Sequence, residues 1–584
     1  MPTITFRPDS DTCPHCGEKQ WKGKLVKTKT REVATLMIGR FLARDFWYSC
    51  RSCGVAVGSE ELKLFVAKGC VIGYDVLVRV GEAFFLESRD NAQIVAELRE
   101  KNIDVCRSEV SYLARKFIVY LALLHKKMRE ETKGFLSMNG GYILHLDGTC
   151  EGGSPHLMSV LDGITEIVLD NVKLPSENAD DLIPFLEGIQ AAYGEPAAAV
   201  SDMGKGILAA LGEVLKNVPL FVCHFHFLKN VGKELFGDEN DTMRKRLNRH
   251  GIEAVLNRRE RAMDSDLAEA PQLGDAFIAA VEAGEFITVS VLEGLGQPVI
   301  HALLVWALGA KKQGQGRGFP FDQPYLVFYQ RLMSVYDLLG RFSQSGLFES
   351  KEKKKLYSMI RRDLLSVARD SALKKATATM LEKMEVFDRL RAAMRITLPE
   401  NKRGLNDDGE LCDMKTIEKE VTKFQRWLSR DTKRMEDKAY RKVITQLDNY
   451  WEKLFCDPIV VETETGKIVI QPQRTNNILE QFFRNFMRGY RKKNGFQAMA
   501  RVLKAMCEDT PLVMNLKNDD FMKVLLAGKK DLALRFADID SEIVRQEMNI
   551  LTKKDTTASG RLKKVVNAST FIETLTSWAN RKAS

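Results

Sequence analysis

The chain has 584 residues, 45% hydrophobic and 28% charged, a composition that fills sizeable cores and excludes disorder as its main state. A net charge of +10 with a pI near 8.9 is mild for this length, so a polyanionic partner must meet local basic patches. The opening MPTITFRPDS lacks a basic-then-apolar leader pattern, and the longest apolar runs, 117–124 and 299–310, are too short for a bilayer.

Those features lead to the expectation of a cytoplasmic chain of three or more domains with no membrane partner. The eleven cysteines fit metal ligands and buried thiols better than disulfides. In residues 1–56 the pairs Cys13-Pro-His-Cys16-Gly and Cys50-Arg-Ser-Cys53-Gly bracket short alternating stretches such as GKLVKTKT and FWYSC. Two residues between cysteines let both sulfurs face one ion, and the glycine after each pair permits a tight turn. Cys13, Cys16, Cys50 and Cys53 are therefore expected to hold structural Zn2+ in a zinc ribbon. A CPHC run is also a redox motif, but that reading needs export and a lone dithiol at a helix start.

Residues 57–135 read as helices. One is expected to start with Asn91 as its N-cap, and a second at Ser108 after the turn IDVC. In the second, Val110, Leu113, Ala114, Phe117 and Leu121 make an apolar stripe, leaving Arg107, Ser111, Tyr112, Arg115 and Lys116 to face outward. That is the pattern of a helix-turn-helix DNA-binding region, and equally of an ordinary helical hairpin.

Residues 136–236 turn to strands. YILHLDG, HLMSVLDG and TEIVLDNV predict three strands, and DDLIPFLEGIQAAYG a helix. EPAAAVSD predicts a strand, ILAALGEVLKNV a helix, and PLFVCHFHFLKN a fifth strand leading into a helix. Strand alternation would send Cys223 and His224 to opposite faces, so Cys223, His224 and His226 do not read as one soft-metal site. Residues 237–455 are helical in pattern, broken by a loop at 311–324 that is expected to be flexible. A hairpin follows at about 458–472, then the helical stretch TNNILEQFFRNFMRGYRKKNGF. From about 511 the tail is helical.

Asp147 and Asp202 each end a buried strand. If those strands are neighbours the two carboxylates converge, and two such groups repel unless a cation such as Mg2+ or Mn2+ lies between them. Glu480 is the candidate third acid. Each has a plainer reading: Asp147 before Gly148 as a turn residue, Asp202 as a helix cap, and Glu480 as part of a capping box with Asn477 and a pair with Arg484. Asp162-Gly163 reads as a turn alone.

Together, HLDGT around Asp147, VSDMGKG around Asp202, CHFHFLKNV, and TNNILEQFFRNFMRGYRKKNGF around Glu480 resemble the DDE transposases of the Mutator-like and related bacterial insertion-sequence groups. The resemblance covers roughly 136–510. It implies a ribonuclease-H-like mixed α/β sheet, with catalytic parts at 136–236 and 456–510 interrupted by a large all-helical insertion at 237–455. A zinc ribbon and helix-turn-helix precede it and a helical tail, 511–584, follows. It implies Asp147, Asp202 and Glu480 as a triad holding two Mg2+ or Mn2+ ions. Cys223 and His226 match the family's C-x-x-H element, packed beside the active site.

The implied activity is metal-dependent cleavage and transfer of double-stranded DNA at transposon ends by a nucleoid-associated homodimer or larger assembly, with no small-molecule cofactor. Arg484, Arg488, Arg491, Lys492 and Lys493 are placed to hold phosphates, and Tyr490 among them to stack on a base. Two alternatives remain open: a domesticated DNA-binding regulator without catalysis, and a nuclease without strand transfer.

Overall fold

A computed structural model describes residues 1–269, 271–283, 296–344, 351–397, 414–455, 457–463, 466–470, 475, 483–485, 487–491 and 499–555. The chain is mixed α/β and divides into two compact units, one made of Met1–Phe221 with Pro458–Ser584 and the other of Val222–Asp457.

The first unit begins with a small sheet: β1 (Thr3–Phe6), β2 (Lys22–Thr35), β3 (Gly39–Cys50) and β4 (Ala56–Val57), in the order β1-β3-β2 with β4 beside β3. β2 and β3 form one long antiparallel ribbon, far longer than the small strands expected. Five helices follow: α1 (Glu61–Phe65), α2 (Tyr74–Phe85), α3 (Asn91–Glu100), α4 (Arg107–Lys127) and α5 (Arg129–Met138). The N-cap of α3 is Asp90, not Asn91: its carboxylate accepts the Ala92 and Gln93 N–H groups while Gln93 reaches back in a capping box. Asn91 instead donates to the Arg107 carbonyl and the Ser111 hydroxyl, tying α3 to α4.

A second sheet holds β5 (Ile143–Thr149), β6 (His156–Asp162), β7 (Val168–Leu174), β8 (Ala198–Ser201) and β9 (Leu220–Val222), in the order β7-β6-β5-β8-β9. The β5–β6 and β6–β7 pairs are antiparallel and β5–β8 is parallel. The parallel return needs a crossover, which α6 (Ala179–Tyr193) supplies, and α7 (Lys205–Val214) joins β8 to β9. Asp162 is the turn acid its sequence suggests: it accepts the N–H groups of Ile164 and Thr165 at 3.0 and 2.9 Å.

The helices of residues 57–135 are not a separate body. Leu113, Phe117 and Leu121 of α4 belong to the same core as Leu144, Leu146 and Val160 of the sheet, and Phe521 and Phe536 of the tail join it. Asn515 locks this arrangement, exchanging hydrogen bonds with the Val168 N–H and carbonyl at 2.7 and 2.8 Å and donating to His125 Nε2 at 3.2 Å. The hairpin of Ile459–Thr463 and Gly466–Ile470 contributes Ile470 to a smaller cluster with Ile143, Ala198 and Val200.

The second unit is helical. Its first helix, α8 (His224–His250), bends at Phe236, whose φ is −139°. In the loop predicted at 311–324 the Asp322 carboxylate gathers the N–H groups of Gln315, Arg317 and Gly318 at 2.7, 2.7 and 2.8 Å.

Candidate functional site

Four thiols converge in the first unit. The ligand atoms of Cys13, Cys16, Cys50 and Cys53 all lie within 4.8 Å of one another, with 3.9 Å from Cys13 to Cys53 and 3.7 Å from Cys16 to Cys50. The two knuckles are built alike: Gly17 and Gly54 adopt φ of 73° and 72° and donate back to the carbonyls of Cys13 and Cys50. Only glycine adopts that conformation without strain. The Cys53 backbone N–H favours the Cys50 thiolate and holds its pKa down to about 7. Cys16 accepts from the Glu18 N–H, which favours its thiolate, but burial and the three neighbouring thiols push it the other way, to about 12. Four sulfurs this close cannot all ionise without a cation, and the set could hold a structural metal such as zinc. Trp21, fully buried, anchors the cluster with Cys13, Cys50 and Val57.

The aspartates meet at the second sheet. β5 and β8 run parallel with Leu146 level with Ser201, so the next residues, Asp147 still within β5 and Asp202 just past the end of β8, stand at the same level. Alternation carries both to the face that Ile143, Ala198 and Val200 share. Asp147 is buried, 5% exposed, and accepts the Gly148 N–H at 2.8 Å. Asp202 is half-buried and turns one oxygen to the Gly204 N–H at 2.9 Å. The N-cap of α7 is Gly204, so Asp202 does not cap that helix. Glu480 lies outside the described residues, as do Lys492 and Lys493. Just beyond Glu480, Phe483 is buried in the core of the first unit.

A pair that the sequence reading missed lies at this end of the sheet. His156 Nδ1 is 2.8 Å from Glu177 Oε1, and Glu177 Oε1 lies 3.3 Å from where a β-carbon on Gly148 would stand. Nothing local marks Glu177, which sits in the loop before α6; only the packing brings it beside the residue after Asp147.

The basic residues divide. Arg484, Arg488 and Arg491 are exposed on helical turns, spaced so that i, i+4 and i+7 share a stripe. Tyr490 is not held out for a base: its ring packs edge-on against Phe84 at 6.0 Å. Arg107 is exposed on the first turn of α4, whereas Arg115 lines a pocket with Tyr490 and Lys116 donates to Cys70 Sγ at 3.3 Å. α4 is buried over much of its length because α2, α3 and the tail pack around it.

The C-x-x-H element belongs to the second unit. Strand β9 stops at Val222 and Cys223 is the N-cap of α8, so Cys223 and His226 are one helical turn apart and the strand alternation expected there does not apply. Cys223 is buried, and the buried His224 ring donates to the Leu454 carbonyl at 2.7 Å. No protein-family model matches this chain, and no curated protein matches it.

Proposed function

We propose that the chain is a DDE-type DNA transposase with a ribonuclease-H-like catalytic domain, acting on double-stranded DNA as a homodimer or larger assembly. The observation that carries the reading is the Leu146–Ser201 register, which brings Asp147 and Asp202, about fifty residues apart in sequence, level on adjacent parallel strands. The mixed sheet, a three-stranded meander followed by a parallel return, supports the same fold class.

The donor set fits a hard divalent cation. Carboxylate oxygens prefer Mg2+ or Mn2+ over soft metals, and a buried acid such as Asp147 beside a second acid is costly to ionise without a counter-charge. Asp147, Asp202 and Glu480 would hold the ions, which when bound supply Lewis-acid stabilisation of a phosphodiester and an activated oxygen nucleophile. The core behind β5 and β8 fixes the direction of both aspartates, so little reorganisation remains to be done at the moment of reaction. Arg484, Arg488 and Arg491 would grip phosphates, adding salt-dependent affinity without reading sequence. Arg107 on α4 is the residue of the expected recognition helix best placed to meet DNA. Zn2+ in the four-cysteine cluster would be structural.

The test is cleavage of labelled DNA ends with Mg2+ or Mn2+ by the full chain and by Asp147→Asn. Loss of cleavage with end binding retained supports the triad; cleavage undiminished removes Asp147 from it. Joined products distinguish a transposase from a nuclease, which yields free ends only.

A further inference from the structure

We propose that the β2–β3 ribbon and the cavity beside it bind an unpaired nucleotide of a DNA strand, with Lys27, Lys29, Arg31 and Lys68 receiving its phosphates and the cavity its base. The identity of the strand rests on the DNA-processing reading above; the anion site does not.

Register and alternation place Lys27 opposite Trp47, Lys29 opposite Asp45 and Arg31 opposite Ala43, so these side chains share one face of the ribbon. The face borders a cavity of about 670 Å³ whose apolar lining includes Leu62, Val66 and Ile539, a size suited to a small ligand or an extruded group.

The charges around it are unbalanced. Asp45 is buried and already engaged, accepting Trp47 Nε1–H at 2.5 Å and the Ser59 N–H at 3.1 Å. Lys63 is paired with Glu60 at 2.6 Å. Lys27 and Lys29 both reach the same indole, their Nζ atoms 4.5 and 4.6 Å from the Trp47 ring centroid. The ring attracts each ammonium, the two like charges repel each other, and an anion bound beside them offsets that repulsion.

Arg31 is half-buried and donates to the Ala67 and Cys70 carbonyls at 3.1 and 3.2 Å. Carbonyls fix the guanidinium without neutralising it, and burial pulls its pKa below the usual value. Lys68 adds a further exposed cation to the lining.

Excess cations and concavity thus coincide. A paired duplex presents its phosphates on a convex surface, whereas a concave site of this volume suits a single nucleotide freed from pairing, its base against apolar side chains and Trp47. A free nucleotide offers the same chemistry, and the test separates the two.

Fluorescence anisotropy compares a blunt duplex with the same duplex carrying a short single-stranded tail. The proteins are the full-length chain, a K27E/K29E/K68E variant and Asp147→Asn. The three lysines are exposed, and an unchanged melting temperature confirms that their reversal leaves the fold intact. The ratio of tailed to blunt affinity is read within each protein, so general weakening cancels. The full chain and Asp147→Asn should prefer the tail by about fivefold or more, the worth of one base–aromatic contact. The triple variant should bring the ratio near one and reduce the salt slope by about two, as for three single-strand phosphate contacts.

A tail preference that survives the triple variant overturns the site. No tail preference in the full chain, with deoxyadenosine monophosphate bound and released by the triple variant, overturns the strand-borne form in favour of a free nucleotide. Cleavage by Asp147→Asn would instead remove the catalytic reading and leave the tail ratio standing.

Discussion

The carbonyl oxygen of Glu177 stands 1.9 Å from the point where a β-carbon on Gly206 would lie. The loop before α6 and the first turn of α7 are therefore pressed together at the end of the sheet where Asp147 and Asp202 emerge, and only glycine permits the approach. Backbone, not a flexible side chain, is what a larger residue would strike.

Gly206→Ala should thus be destabilising, by about 1–3 kcal/mol as for other overpacking changes. Gly212, on the same helix, has nothing within 4 Å of its would-be β-carbon. Gly212→Ala should be neutral or stabilising by up to about 1 kcal/mol, through helix propensity. Thermal denaturation of the two variants side by side checks this, and equal melting temperatures would contradict the close approach.

Asp147→Asn and Asp202→Asn should each lower metal-dependent cleavage by about a hundredfold or more, the loss expected when about 3 kcal/mol of transition-state stabilisation disappears. On the proposed reading, dissociation constants for DNA ends should stay within about twofold, because neither residue is among the arginines proposed to hold phosphates. If the Asp202 variant cleaves at the normal rate, the strand-end pair is not the metal site.

Metal analysis of the purified chain should find one zinc per molecule. Cys50→Ser should remove it, since a tetrahedral site with three remaining thiolates holds zinc far more weakly. The β2–β3 ribbon should then become sensitive to limited proteolysis, because Trp21 and Val57 share a small core with Cys13 and Cys50 of the knuckles. Full zinc content in the variant would show that the four thiols do not act as one site.

His125, in the last turn of α4, is buried against Asn515, and desolvation pulls its pKa from 6.5 down to about 4. Its neutral Nε2 accepts from the Asn515 amide, which a protonated ring could not do. Between pH 6.5 and about 4 the unfolded chain binds this proton and the folded chain does not. Stability is therefore full above pH 6.5 and falls as pH drops towards 4, by about 3 kcal/mol from this group. His125→Gln should flatten that part of the pH–stability profile relative to the parent chain, other titrating groups cancelling in the difference. Parallel profiles would assign the acid sensitivity elsewhere.

Much of this molecule was legible in local pattern. The paired C-x-x-C-G knuckles announced a thiol cluster because two-residue spacing and a left-handed glycine are properties of a few adjacent residues. The strands carrying Asp147 and preceding Asp202 were legible as continuous apolar runs, but β5 continues to Thr149 with Asp147 still buried, whereas β8 does stop at Ser201, just before Asp202. Where neighbours competed, reading by pattern slipped. Asp90 took the cap expected of Asn91, since Asp90 also had Gln93 in reach, and residues 223–226 joined a helix because β9 ends at Val222.

The sequence by itself determined the thiol cluster of Cys13, Cys16, Cys50 and Cys53 and named the aspartates and arginines on which the proposed function rests. Tertiary structure alone decided who stands beside whom. It set Leu146 level with Ser201, drew α4 into the sheet core, turned Tyr490 inward onto Phe84, and placed Lys27 and Lys29 over one indole. The reason is physical: spacing along a chain fixes periodicity and turns, whereas register and burial depend on contacts between segments that only a completed core brings together.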